Sequence, residues 1–145
     1  MKINMVDVGE KEVIPRLAVA QGKIVLKPET VALVRAGKTK KGDVLAVAET
    51  AGILAVKKTP ELIPLCHQIP IDKVDFEFDF EKSAIACRCA VRARAKTGVE
   101  MEALCGVATA LLNIWDMVKY LEKDENGQYP TAQIVEIKVL EKRKG

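Results

Sequence analysis

The residues from Val74 to Ala95 leave this chain few ways to fold. In VDFEFDFE, apolar and acidic residues alternate without a break. Val74, Phe76, Phe78 and Phe80 fall on one side, and Asp75, Glu77, Asp79 and Glu81 on the other. A period of two belongs to a strand with one wet face and one dry face. After a turn of about three residues, IACRCAVRARA repeats the pattern with the opposite sign. Ile85, Cys87, Cys89, Val91 and Ala93 share one side, with Arg88, Arg92 and Arg94 opposite. An acidic outer face beside a basic one predicts an antiparallel hairpin with cross-strand charge pairing. Its apolar face must then be covered by other elements.

Helical segments supply that cover. ETVALVRAG reads as a short helix closed by Gly37, and GDVLAVAETAGILAVKK as a longer one with Asp43 as N-cap. The clearest helix starts at Thr97, where Thr97 and Glu100 have the spacing of a capping box. From there Leu104, Val107, Ala108, Leu111, Trp115 and Val118 keep a helical period toward the core. QIVEIKVLE near the end alternates as a strand, and RLAVAQGKIVL near the start is a weaker strand. The order strand, two helices, hairpin, long helix, strand predicts an α+β fold. Its natural form is a ferredoxin-like sandwich, an antiparallel sheet with helices packed on one face. At 145 residues the expectation is a single domain, 1–145.

Composition removes several classes of function. A hydrophobic share of 49% is too high for a disordered chain. No run is expected to reach the length of a membrane span, and MKINMVDVGEKE has no apolar signal core, so a cytoplasmic location is the default. The four cysteines read as reduced, partly buried thiols. A net charge of +3 does not by itself imply nucleic acid, and an aromatic content of 4% offers few platforms for stacking bases.

Three features carry candidate chemistry. The first is TPELIPLCHQIP, which contains the only histidine, His67, directly after Cys66. Pro64 and Pro70 stiffen the path between them, because each fixes its own φ and restricts the residue before it. A lone histidine is more often a hydrogen-bonded core residue, but this frame is suited to aiming one. Cys66, His67, Cys87 and Cys89 do not have the spacing of metal ligands, so no metal is expected. Neighbours such as Cys66 and His67 also rarely face each other as a nucleophilic pair. The second feature is GKTKKGDV, with Lys38, Lys40 and Lys41 before a helix start. Ammonium groups there suit phosphate oxygens, with a solvated loop as the competing reading. The third is a stripe along the long helix formed by Met101, Cys105, Ala108, Leu112, Asp116 and Lys119. Asp116 and Lys119 are close enough to pair, and on an apolar stripe Asp116 is expected to be partly buried. The pair is then either an acid and a base or a surface ion pair of little worth. Glu100, Met101 and Glu102 lie about 21–24 Å from Asp116 at ~1.5 Å per residue. One small ligand cannot span that, so either the features are separate or two chains bring opposite helix ends together.

MVDV (Met5 to Val8), KKGDV, LIPLCH, KTGVEMEAL and the Asp-Met-x-Lys of WDMVK together resemble the molybdenum cofactor biosynthesis protein C family, the cyclic pyranopterin monophosphate synthases. The matches run in order from Met5 to Lys119, and LIPLCH followed by TGVEMEAL is highly specific. The resemblance implies a ferredoxin-like fold in a homo-oligomer, a hexamer built as a trimer of dimers, with active sites between subunits. It implies a lyase that converts 3′,8-cyclo-7,8-dihydro-GTP to cyclic pyranopterin monophosphate with release of pyrophosphate. By the resemblance Asp116 is the catalytic acid/base, and Lys41 and Lys119 are its basic partners. Leu65, Cys66, His67, Met101 and Glu102 match substrate-binding positions, and Asp7, Arg16, Lys57 and Glu100 match further pocket positions. No cofactor is implied. A Mg²⁺ travelling with the polyphosphate would be part of the substrate. The chain ends in EKRKG where many members have a Lys- and Gly-rich tail, with Lys142 or Lys144 as stand-ins for the family's last lysine.

The residue types suit that chemistry. A polyphosphate needs lysine and arginine to neutralise it. Opening and reclosing a purine needs several proton transfers, for which a lysine desolvated near Asp116 would serve. The competing class is a non-catalytic module that binds nucleotides or RNA through Lys38–Lys41 and the arginine face of Ile85–Ala95. It lacks aromatic platforms and leaves LIPLCH without a role.

Overall fold

A computed structural model describes all residues, 1–145. The elements are β1 (Ile14–Val25), α1 (Pro28–Arg35), α2 (Val44–Lys57), a single-turn α3 (Thr59–Leu62), β2 (Lys73–Glu81), β3 (Ala84–Ala95), α4 (Glu100–Glu122) and β4 (Gln133–Lys144). They form a four-stranded sheet in the order β2-β3-β1-β4, and every neighbouring pair is antiparallel. This is the split β-α-β arrangement expected of a ferredoxin-like α+β sandwich. The segment read as the weaker strand is central β1, paired along its whole length with β3.

The hairpin forms as its alternation requires, with two refinements. Its turn consists only of Lys82 and Ser83, and its charges pair less than expected. Glu77 lies opposite Arg88 and meets it at 3.7 Å. Asp75 and Asp79 face Ala90 and Ala86, however, and Arg92 faces Lys73. The register is set by the apolar face, which must stay on one side, and the outer charges take the partners that are left. Glu81 reaches past β3 to Lys23 of β1 at 2.9 Å.

The core lies between the sheet and α2 and α4. Ala18, Ala20 and Ile24 of β1, Ile85, Cys87, Cys89 and Val91 of β3, and Val107, Ala110, Leu111, Ile114 and Val118 of α4 are all fully buried. Burial pushes the Cys87 and Cys89 thiols up to about 12, so they behave as small apolar groups. Two glycines set how closely the helices approach. A Cβ on Gly52 of α2 would come within 2.4 Å of the Phe76 ring, and one on Gly106 of α4 within 2.9 Å of Val56.

Helix ends decide where the functional segments emerge. Asp43 caps α2, accepting from the Ala46 amide at 3.0 Å, and Gly37 closes the turn after α1 at φ 69°. The expected capping box is absent. α4 begins at Glu100 behind Val99, with no side-chain cap, because the Glu100 carboxylate turns instead to Lys142 at 3.3 Å. The expectation about membrane-length runs is also corrected. The 23 residues of α4 are long and apolar enough to cross a membrane by length and composition. Half of that stretch is buried inside the fold, so α4 serves as its core helix. Gly52→Ala should force Phe76 out of its seat and cost about 1–3 kcal/mol of stability, read as an earlier midpoint in denaturant unfolding.

Candidate active site

The turn between α1 and α2 brings Lys41 to the last third of α4. Lys41 Nζ lies 3.5 Å from the Asp116 carboxylate and 3.1 Å from the Asp116 carbonyl oxygen. Lys119, one turn further along the helix, approaches the same carboxylate at 3.3 Å. The Lys119 hydrogen bond, followed by the charge of Lys41, holds the Asp116 carboxyl below its ordinary range. The expected partial burial is not met: the Asp116 side chain is 61% exposed. Lys41 and Lys119 also stay open to solvent, so a single chain does not desolvate either lysine. Beside them is a concavity of about 380 Å³ lined by Leu112, Trp115, Asp116, Lys119 and Ile134. Trp115 is braced edge-on by Tyr129, with ring centroids 5.3 Å apart. The result is a carboxylate kept ionised between two ammonium donors next to an apolar wall, suited to proton transfer beside an anion.

The second group gathers at the other end of α4. Pro60 sits in the first turn of α3, and the chain then turns at Cys66, whose amide donates to the Ile63 carbonyl at 3.0 Å. His67 follows, and its Nε2 donates to the carbonyl of Val6 at 2.6 Å. A carbonyl oxygen can only accept, so that bond places a proton on Nε2. The MVDV segment is therefore a strap over the histidine. Asp7 shapes it by accepting from the Gly9 amide at 2.8 Å, and Lys96 donates to the Gly9 carbonyl at 3.3 Å. His67 lines a concavity of about 370 Å³ with Val8, Val13, Ile69, Arg94 and Lys96. Lys57, at the end of α2, opens onto the same proline segment beside Gln68 and Ile69.

Glu102 is the unusual member of this group. It is 1% exposed, and neither carboxylate oxygen has a hydrogen-bond partner. Burial pushes its carboxyl up, and the nearby Glu100 adds to the effect. Cys66 is raised chiefly by burial and next by the charge of Glu102, so it is held as a thiol. Arg16 is buried and donates to the carbonyls of Ala95 and Lys96 at 3.3 and 3.1 Å, bracing the strand that leads into α4. Leu65 and Met101 are exposed apolar side chains. No cluster of three or more His, Cys, Asp or Glu side chains is arranged to hold a metal ion.

The structure thus joins Lys41, Asp116 and Lys119 in one group. Cys66, His67, Glu100 and Glu102 gather at the other end of α4, with Asp7, Arg16 and Lys57 on flanking segments. The two sets are divided by the length of one unbroken helix. A concavity of about 480 Å³ on the open sheet face, lined by Asp75, Glu77 and Arg88, contains none of these residues. The sequence alone offers Lys142 and Lys144 alike for the tail lysine. β4 runs to the end of the chain, and it is Lys142 that joins the second group through Glu100. Lys96, which tethers the strap from the end of β3, opens the KTGVEMEAL motif but is not among the site residues the sequence singles out.

Fold and site together define a ferredoxin-like α+β protein with a carboxylate held between two lysines. A profile of the MoaC family matches residues 5–145. The chain is 64% identical over 143 residues to the "probable cyclic pyranopterin monophosphate synthase" of Thermococcus kodakarensis, covering 99% of this chain and 92% of that protein. It is 55% identical to the Archaeoglobus fulgidus protein of the same name, over 99% of this chain and 92% of that protein. It is 54% identical to a Methanothermobacter thermautotrophicus protein named "probable cyclic pyranopterin monophosphate synthase accessory protein", over 98% and 89% respectively. The chain belongs to the MoaC family.

The raised carboxyl of Glu102 fixes a sign. An acid whose folded pKa lies above its unfolded value loses stability as pH rises from the unfolded value through the folded one. Glu102→Gln removes that loss. The variant should therefore gain stability relative to the parent as pH increases from the ordinary carboxyl range toward neutrality. Urea unfolding midpoints across that window measure it, and parallel curves would contradict a buried, raised carboxyl.

Proposed function

We propose that the two groups are halves of one active site, assembled from the helix start of one chain and the helix end of another, and that this site is a cyclic pyranopterin monophosphate synthase. The reading takes 3′,8-cyclo-7,8-dihydro-GTP as substrate and releases pyrophosphate. The observation that carries it is Asp116, held ionised between Lys41 and Lys119 on an exposed face with no other structural task. In the proposed chemistry Asp116 and its lysines move protons as the purine-derived ring is opened and reclosed. An ammonium next to a polyphosphate stabilises the charge on the departing pyrophosphate while a sugar hydroxyl attacks the α-phosphate. Leu65, Cys66, His67, Met101 and Glu102 hold the heterocycle from the opposite wall. Buried Glu102, with two unpartnered oxygens, is suited to meeting ring N–H groups.

A shared site is supported by the outer face of α4, where Leu112 stands 59% exposed between the two groups. The fuller assembly proposed is a hexamer, a trimer of dimers, working in the cytoplasm. The RNA-binding alternative fares worse, because Arg88 is already paired to Glu77 and the Asp116 cluster would have no use.

Purified protein given the cyclised GTP should form the pterin product and pyrophosphate, while Asp116→Asn and Lys41→Ala should each lose at least about a hundredfold in kcat. Each of Asp116→Asn and His67→Ala alone should be nearly inactive. When the two are mixed and reassembled, activity should return to about a quarter of the parent level by statistical pairing. If the mixture stays inactive, the site does not lie between chains.

A further inference from the structure

The segment that carries Lys41 is a turn with little to hold it. It runs between Gly37 at φ 69° and Gly42 at φ 107°, backbone conformations that favour glycine. The Thr39 hydroxyl donates to the Gly42 carbonyl at 2.7 Å, and the Gly42 amide donates back to the Thr39 carbonyl at 3.3 Å. These bonds close the turn on itself without tying it to the helix it serves. Two contacts do that. One is the Lys41 ammonium, which meets both the carboxylate and the carbonyl oxygen of Asp116 and is the group the proposed reaction must engage and release. The other is the Lys40 amide, which donates to the hydroxyl oxygen of Tyr120 at 2.6 Å. The Lys40 ammonium also lies 5.9 Å from the centre of the Tyr120 ring, within cation–π range.

Tyr120 follows Asp116 by four residues, so the two side chains rise from the same face of α4. We propose that Tyr120 is a positioning residue for Lys41. Its phenol oxygen anchors the neighbouring amide and sets the height of the turn over Asp116, so that Lys41 stays in reach when its ammonium leaves the carboxylate. The proposal rests on the reading of Lys41 and Asp116 as catalytic partners. Tyr120 touches neither reacting group and acts through the turn.

Tyr120→Phe removes the anchoring oxygen and keeps the ring. Hydrogen exchange at the Lys40 amide should quicken about tenfold, the loss expected for one hydrogen bond. The charged groups facing Asp116 are Lys41 from the turn and Lys119 from α4. The remaining wall consists of Leu112 and Trp115 with Ile134 of β4. With Lys41 less well held, the titration midpoint of the Asp116 carboxyl, read by carbon NMR, should rise toward the ordinary range. Turnover should fall roughly threefold to tenfold in kcat. In a Lys41→Ala background, Tyr120→Phe should move the Asp116 midpoint no further. Unchanged Lys40 exchange, or an equal shift in the Lys41→Ala background, would overturn the proposal. If the parent protein does not turn over the cyclised GTP, the functional reading fails. Exchange and titration then still decide the role of Tyr120.

Discussion

The close seat of α4 on the middle of the sheet is the contact from which the other features follow. It depends on small residues in β1. Ala18 and Ala20 are fully buried there, and a Cβ on Gly22 would come within 2.9 Å of both Val107 and Leu111. The strand is shallow at that point and admits the helix closely, and α4 runs without a break from Glu100 to Glu122. α2 packs along it, with Gly52 and Gly106 admitting Phe76 between the helices and the sheet. β4 bends to fit the same surface. Its register slips between Val19 and Ala20 and again across Gly22, and Glu136 takes φ 58° where the second extra residue is accommodated.

A straight, well-seated helix also acts as a ruler. It places Glu102 beneath the His67 segment and Asp116 beneath the lysine turn, about 21 Å apart by helical rise. Each end is chemically unfinished. At one, a buried carboxyl has no partner. At the other, an ionised carboxylate between two lysines lies open to water. An exposed ion cluster contributes little to stability, so stability does not account for the convergence of three charged side chains from two segments. In the proposed shared site, a second copy's helix start at this helix end would supply what each half lacks: water exclusion for the lysines and a charged ligand for Glu102.

Much of this was legible in the sequence. Strict alternation in β2 and β3 identified the hairpin and its buried face, and the spacing of Val107, Leu111 and Val118 identified the inner face of α4. Asp43 and Gly37 marked helix ends for local reasons, which is why they were readable. The failures were non-local. Thr97 and Glu100 had the spacing of a cap, but Lys142, over forty residues away, competes for the Glu100 carboxylate. The burial of Asp116 was inferred from apolar neighbours on its stripe. That stripe faces outward, since the period that fills the core is shifted by a residue or two. Long-range hydrogen bonds such as His67 to Val6 and Lys40 to Tyr120 leave no trace in spacing.

Whether two chains share each site, as proposed, is open to a direct measurement. Molar mass by light scattering and turnover of the cyclised GTP can be read on the same samples through a dilution series. The shared site predicts that specific activity falls in step with loss of the dimer or larger assembly. A protein that remains monomeric throughout and works at undiminished rate would contradict it.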